Sequence, residues 1–504
     1  MGNYILGLDA GNTVIKAIIF DTAGRELAMA ALDGRSSMPK PGHVERDLNE
    51  LWANAVTVIR RCIDEAGIDA GDIAAIGCAG HGNGLYALDR DGAPLIGIQS
   101  LDTRGVGIVA EWAGENVGDR TYPYCLQQPW AAQTPTLLAW IKRFEPDLFD
   151  RIGTVFLCKD FVVNRLTGAR SSDTTDMSGC GLLSMPARRY EQELLAAYGL
   201  NDCMDLLPPA LESAEIAGHI TPEVAALTGL KAGTPVVAGL FDVVASAVGS
   251  GVTRTGAASI IAGTWSINQV ITDEPIRDPS IFMLSTFDPK RYLAIESSAT
   301  SAANLEWIAR EFLEHEAGHG KSPFEHASEL VASVDPAGDV PIYHPFLYGS
   351  QKNGRARAGF YGIAGWHGRA HMLRALFEGV VFEHKRHIET LTRAGAGFDE
   401  AVLSGGGSRS AVWAQIFADV LGVPVTVARS RETGALGAAI AAGTGVGIFP
   451  DFAAGATAMT SAARRYAPNG AIAQAYAARY QLYGEINQAM SPMWERIAQM
   501  QAQS

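Results

Sequence analysis

The sequence predicts an α/β protein of two halves built on one plan. Three observations carry this. Strand-like and helix-like segments mix along the whole chain. At 504 residues it exceeds what a single core holds, so two or three domains are expected. Finally, the segment 5–21, ILGLDAGNTVIKAIIFD, has a counterpart at 258–272, ASIIAGTWSINQVIT. Each is an apolar run, a short turn with a glycine, and a second apolar run, the pattern of an antiparallel hairpin. Their glycines, Gly11 and Gly263, lie about 250 residues apart, so one hairpin opens each half. The Gly/Ser/Thr-containing stretch 249–255 marks the boundary, giving domains of residues 1–250 and 251–504.

The remaining elements follow in order. Residues 48–66 read as a helix with Leu51, Trp52, Val56, Ile59 and Ile63 on one face. Residues 73–78 and 85–88 are short strand candidates, 136–144 is helical, and 234–239 is an apolar strand leading into Phe241 and Asp242. Residues 367–392 form the clearest long helix, with Gly395 as its stop. The loop 404–410, SGGGSRS, feeds a helix at 411–421. The uncharged stretch 433–450 is rich in Gly and Ala, which favours a buried helix over a membrane span.

Composition excludes several classes. The chain is 47% hydrophobic and 19% charged, with mean hydropathy +0.07, as in ordinary globular proteins. Net charge is −14 and no Lys/Arg-rich run appears. A nucleic-acid partner is therefore not expected, since phosphate neutralisation needs a basic face. Cys62, Cys78, Cys125, Cys158, Cys180 and Cys203 form no C-x-x-C pair. They read as buried free thiols in a reducing cytoplasm, not a zinc site or disulfide framework. The chain enters a strand directly, with no signal peptide, and Leu6 stands where myristoylation wants Ser or Thr.

The first hairpin has what a phosphate site needs. Gly11 permits close approach of backbone N–H groups to an anion. Asn12 and Thr13 offer side-chain donors, Lys16 adds positive charge, and Asp9 at the strand end can hold Mg²⁺ directly or through water. Asp242 follows an apolar strand and starts a small-residue helix. It is either a helix cap or the base that a hydroxyl nucleophile needs to attack ATP; the two hairpins and the Gly-rich loop favour the base. His81 and Asn83 lie between glycines after a strand, free to reach a polyhydroxylated ligand or simply part of a turn. Asp102 and Arg104, two apart on an extended segment, point the same way, to hold sugar hydroxyls or pair with each other at the surface. Asp173 and Asp176 either touch substrate or belong to a polar loop, and the loop is the favoured reading. His315/His319 and His367/His371 have i, i+4 spacing without an acidic third ligand, and read as solvated helix-face residues.

The first hairpin resembles that of the superfamily of sugar kinases, actin and heat-shock ATPases. Taken together, the segments resemble the FGGY carbohydrate kinases over roughly residues 4–447. LDAGNTVIKAIIFD, PGHVERDLNELW, PTLLAWIKRFEP, KDFVVNRLTG and GLKAGTPVVAGLFDVVASAVGSG come in the family's order. AGTWSI, PFLYGS, ALFEGVVFEH, SGGGSRSAVWAQIFADVLG and ETGALGAA follow in theirs. The resemblance implies two actin-like domains with a ribonuclease-H-like core and an interdomain cleft. Sugar would bind mainly to the first and ATP mainly to the second. It implies Asp242 as base, Asp9 near Mg²⁺, and Gly11, Asn12, Thr13 and Lys16 as the first phosphate hairpin. Gly263 and Thr264 match the second hairpin, and Gly406, Gly407 and Ser410 the adenosine segment. A homodimer is the common assembly there, and no membrane is involved.

Departures bear on substrate. Many D-xylulose kinases read Gln-Met-His-Gly where this chain has His81-Gly82-Asn83-Gly84, so a large contact has become Gly82. Glycerol kinases have Arg-Glu in place of Gly82-Asn83, and an aromatic residue common before the Asp-x-Arg segment is Ser100 here. The L-xylulose kinase branch resembles this chain most, sharing the Gly, the Ser and a Trp like Trp130. It differs at His81 and Asn83, where Gln and Lys are typical. The expected reaction is ATP-dependent phosphorylation of a primary hydroxyl of a free pentulose, L-xylulose first. A polyol such as erythritol, or D-xylulose, is the alternative. A non-catalytic sugar or nucleotide sensor would show a degraded site, yet Asp9, Lys16 and Asp242 are present. A heat-shock ATPase would need a peptide-binding domain after residue 450, and no G-x-G-x-x-G of a dehydrogenase follows a strand.

Overall fold

The computed structural model describes residues 2–313, 322–350 and 353–501. They form two compact units: Met1–Thr255 with Ile271–Ala294 and Glu432–Ser461, and Gly256–Val270 with Ile295–Arg431 and Ala462–Ser504. Residues 432–461 pack within the first unit although most of the second precedes them in sequence.

The first unit is built on the opening hairpin. β1 (Tyr4–Ala10) and β2 (Val14–Asp21) pair antiparallel with Asp9 opposite Lys16, and β3 (Glu26–Asp33) continues the meander. Helix α1 (Leu48–Ala66) has the predicted limits. Asp47 caps its N-terminus by accepting from the Asn49 and Glu50 amides, and Gly67 at φ 62° ends it. β4 (Ile73–Gly80) pairs parallel with β1. The sheet order is β5 (Ile216–His219), β6 (Pro235–Val237), β4, β1, β2, β3, with β7 (Leu240–Phe241) also paired parallel to β4. Leu6, Leu8, Ile15, Ile19, Leu51, Ile59, Ile76 and Val236 belong to its core. A second core lies around the strand Leu85–Asp89 and the helices Val106–Gly114 and Thr134–Phe144. All six cysteines are buried free thiols, as expected.

The second unit repeats the plan. β8 (Ala257–Ala262) and β9 (Ser266–Thr272) form its hairpin. β10 (Glu400–Ser404) lies parallel to β8, β11 (Val425–Ala428) parallel to β10, and β12 (Ala462–Tyr466) antiparallel at the edge. Antiparallel, parallel, parallel, antiparallel is also the sequence of pairings β2-β1-β4-β6-β5. The long helix runs Arg369–Arg393 and Gly395 follows its end at φ 102°. Ala411–Leu421 is helical as predicted, with Ser410 as N-cap. No helix among the described residues is long and apolar enough to cross a membrane.

Two local expectations are corrected. Residues 100–104 lie between two turns and do not form an extended segment, because the Asp102 and Val106 amides close turns on the Gln99 and Thr103 carbonyls, each at 3.1 Å. Asp173 and Asp176 do not sit in a polar loop. Both are fully buried at the start of the helix Thr174–Gly179, which Asp173 caps. His315 and His319 lie outside the described residues. His367 and His371 make helix-start contacts, accepting from the Ala364 and Gly368 amides.

Candidate active site

The carboxyl ends of parallel strands are where α/β sheets gather ligands, because the loops that follow converge there. In the first unit three such ends adjoin. The β1–β4 register sets Asp9 beside Ala79, and the β7–β4 register sets Phe241 beside Gly80. The His81 amide donates to the Ala10 carbonyl at 3.2 Å. Asp9, His81, Asn83 and Asp242 are thus brought to one end of one sheet. Asp242 opens the helix Asp242–Gly249, but the N-cap is Phe241 and no side chain caps this end. The cap reading of Asp242 therefore fails. Burial pushes its pKa up to about 8, with the charge of Asp9 adding to the shift. Asp9 is pushed up to about 6, again by burial, against the pull of Lys16.

The hairpin tip is shaped by its surroundings. The Gly11 amide closes the turn on the Val14 carbonyl at 3.0 Å. Asn12 is held by two residues of the following segment. Its Nδ2 donates to Ser100 Oγ at 2.9 Å, and its carbonyl accepts from Gln99 at 2.6 Å. Ser100 is thus a hairpin support. Lys16 pairs with Glu432 at 2.5 Å. Gly434 stands over Asp9, where a Cβ would come 2.7 Å from Oδ2. A half-buried carboxylate whose charge is felt by a second one, Asp242, is a donor set that fits a hard divalent cation.

The acceptor-side residues fall into two groups. His81 is buried, bonds Tyr86 OH through Nε2 at 2.7 Å, and is held neutral, its pKa pushed down to about 3 by burial and then by Arg46. Asn83 adopts φ 61° and its buried Oδ1 has no partner, as does Trp130 Nε1. Both atoms are left without a hydrogen-bond partner within the protein. Asp102 and Arg104 instead pair with each other at 2.9 Å, and Arg104 also reaches Glu45 at 2.7 Å. The pairing reading holds for them, but buried and not at the surface. Gly82 lies against the ring of Phe241. A Cβ there would come 2.4 Å from the Phe241 ring, which excludes the larger residue.

Beneath this site lies a cluster that local sequence patterns did not reveal. Lys159 is fully buried and pairs with Asp160, Asp173 and Asp176 at 2.5, 2.8 and 3.1 Å. Burial pushes Asp176 well above the usual carboxylate range, and the other carboxylates add to it. Three buried acids around one site suggest a metal, but the ammonium of Lys159 already stands among them as the cation.

In the second unit Gly263, Gly406, Gly407 and Ser410 also come together. Gly405, at φ 83°, and Gly407 lie against the end of β8. A Cβ on Gly405 would come 3.1 Å from the Gly263 amide nitrogen, and one on Gly407 would come 2.9 Å from Ala262 Cβ. Gly406 faces open space and Thr264 is exposed at the hairpin tip. Ser410 caps the helix Ala411–Leu421, whose N-terminal dipole suits an anion. Under the hairpin, buried His384 bonds Asn268 through Nδ1 at 2.8 Å and is held neutral by burial.

Comparison with known proteins settles the family. Residues 4–249 match the model of the N-terminal domain of the FGGY family of carbohydrate kinases, and residues 258–446 that of the C-terminal domain. The chain belongs to the FGGY family of carbohydrate kinases. It is 35% identical over 502 residues to L-xylulose/3-keto-L-gulonate kinase of Escherichia coli K12, covering 99% of both chains. It is 32% identical to a probable L-xylulose kinase of Pasteurella multocida, over 97% of this chain and all of the other. Among solved structures it superposes on xylulose kinase from Rhodospirillum rubrum with TM-score 0.88 and 29% identity, covering 98% of this chain and 100% of that one. The fold is therefore the actin-like ATPase fold, and the FGGY chain is a sugar kinase, a phosphotransferase with an alcohol acceptor.

Proposed function

We propose that this kinase phosphorylates a primary hydroxyl of a free pentulose, L-xylulose first, using ATP and Mg²⁺. The observation that carries the reading is the raised pKa of Asp242, about 8, at the strand ends where the acceptor-side residues gather. A base poised near neutrality suits removal of a hydroxyl proton. The Asp242 carboxylate takes that proton as the sugar oxygen forms a bond to the γ-phosphorus. The bond from that phosphorus to the β–γ bridging oxygen breaks, and ADP leaves with the electron pair. Asn12, Thr13 and Lys16 would serve the phosphates, and Gly263, Thr264, Gly406, Gly407 and Ser410 the nucleotide. Asp9 would hold Mg²⁺, which supplies neutralisation of the transferring charge. His81, Asn83 and Trp130 read the sugar, while Asp102 and Arg104 hold the acceptor-side turn in place. The assignment of acceptor to residues 1–250 and nucleotide to 251–504 belongs to this reading.

The substrate choice is supported by the L-xylulose kinase relatives and by Gly82, whose place the Phe241 ring restricts. The test is ADP release across L-xylulose, D-xylulose, L-ribulose, D-ribulose, 3-keto-L-gulonate, erythritol, ribitol and glycerol. L-Xylulose should give the highest kcat/KM; a polyol in first place would overturn the substrate. Asp242→Asn should lower kcat by about 10²–10⁴-fold and keep nucleotide affinity, and near-normal turnover would remove Asp242 from the reaction.

A further inference from the structure

The geometry points to Thr175 as the positioning residue that sets the base loop, resting on the reading of Asp242 as the base. The segment 238–241, called the base loop although its last two residues form β7, runs straight into Asp242, and two of its amides are tied back toward one buried carboxylate. The Phe241 amide donates to Thr175 Oγ1 at 2.9 Å, and the Thr175 hydroxyl donates to Asp173 at 2.6 Å. The Gly239 amide donates to the Ser213 carbonyl at 3.0 Å, and the Ser213 hydroxyl donates to Asp173 at 2.8 Å. Asp173 is held in turn by Lys159 at 2.8 Å.

The two ties differ in kind. Thr175 Oγ1 is itself the acceptor of the base-loop amide. With its proton committed to Asp173, its lone pairs are aimed at Phe241. A hydroxyl so fixed is a stiffer acceptor than a freely rotating one, because chained hydrogen bonds polarise each other. Ser213 serves the loop only through its carbonyl, so its hydroxyl is a bond to Asp173 and nothing more.

The side chain of Phe241 completes the clamp. A Cβ on Gly82 would come 2.4 Å from the ring, and one on Gly179 would come 3.1 Å from its other edge. Phe241 is only 5% exposed. The residue before the base is thus fixed at its amide by Thr175 and at its ring by two glycines, one of them in the acceptor loop. Catalysis is sensitive to such placement, since a shift of about 1 Å in a reacting group can lower rate about 10²-fold.

The experiment pairs T175V with S213A, each of which deletes one hydroxyl bond to Asp173. T175V should lower kcat by about 10²-fold with both KM values within about threefold of wild type. T175S should restore kcat to within about threefold, and S213A should leave it there too. A purely structural role would make T175V and S213A lose activity together. Equal losses, wild-type kcat in T175V, or a T175V chain that does not fold each overturn the proposal. Asp242→Asn is measured beside them: its inactivity with an active T175V removes only Thr175, whereas an active Asp242→Asn removes the base reading as well.

Discussion

A carboxylate that must take a proton near neutrality has to sit where its charged form is disfavoured, and Asp242 does. Its folded pKa, about 8, lies above the usual 3.8, chiefly through burial and then through Asp9. The sign for stability follows from linkage. A raised carboxylate pKa means the folded state binds the proton more tightly than the unfolded one. The stabilisation this gives is complete below about pH 4 and is lost as pH rises through about 8. Asn at this position carries no charge at any of these pH values. Asp242→Asn should therefore match wild-type stability at pH 4 and exceed it above pH 8, by about 2–5 kcal/mol. Denaturant titrations of the ligand-free protein at both pH values check this. An excess that shrinks as pH rises would mean that Asp242 is not held against its charge. Asp9, pushed up to about 6, remains in both proteins and cancels.

At the scale of elements, the helix Thr433–Gly445 shows how small residues position the site. It packs backbone to backbone within the first unit. A Cβ on Gly7 of β1 would come 2.1 Å from the Ala435 carbonyl oxygen, and one on Gly77 of β4 2.0 Å from that of Ala438. A Cβ on Gly437 would come 1.9 Å from the Ala245 carbonyl oxygen in the helix that carries Asp242. Rigid backbone cannot yield as a side-chain end does. Gly437→Val should cost about 2–4 kcal/mol, read as a lowered denaturation midpoint, and a neutral substitution would show the approach to be looser. These contacts also explain what was legible in the chain. Residues 48–66 and 411–421 were readable because their apolar period and caps are local. The burial of residues 433–443 was readable from the composition of the stretch 433–450, but not the strands it meets. Lys16 gave no sign of Glu432, 416 positions away. Lys159, Asp173 and Asp176 looked like ordinary polar residues, because only the fold brings them together. Gly82 was readable as a missing side chain, but not the Phe241 ring, about 160 positions away, that lies against it.

At the scale of the molecule, the two units share one order of strand pairing, and each hairpin has acquired different neighbours. The first is surrounded by carboxylates, Lys16 and the acceptor loop; the second by the Gly-rich loop and a capped helix. A duplicated frame with unlike surroundings predicts that acceptor and nucleotide constants can be altered separately. Gly406 and Asn83 make clean probes. A Cβ at Gly406 meets nothing, so Gly406→Val adds bulk to open space without a packing penalty. Asn83 holds φ 61°, which Gly tolerates, so Asn83→Gly removes the side chain without backbone strain. Gly406→Val should raise KM for ATP about tenfold or more, the loss of about 1.4 kcal/mol or more, and leave KM for the sugar unchanged. Asn83→Gly should do the reverse, and each variant should melt within a few degrees of wild type, about the shift of a sub-kcal/mol change. Steady-state kinetics with both substrates varied decides it. If either substitution moves both constants equally, the two sets of residues do not serve different ligands, and the separate duties assigned to the two halves are wrong.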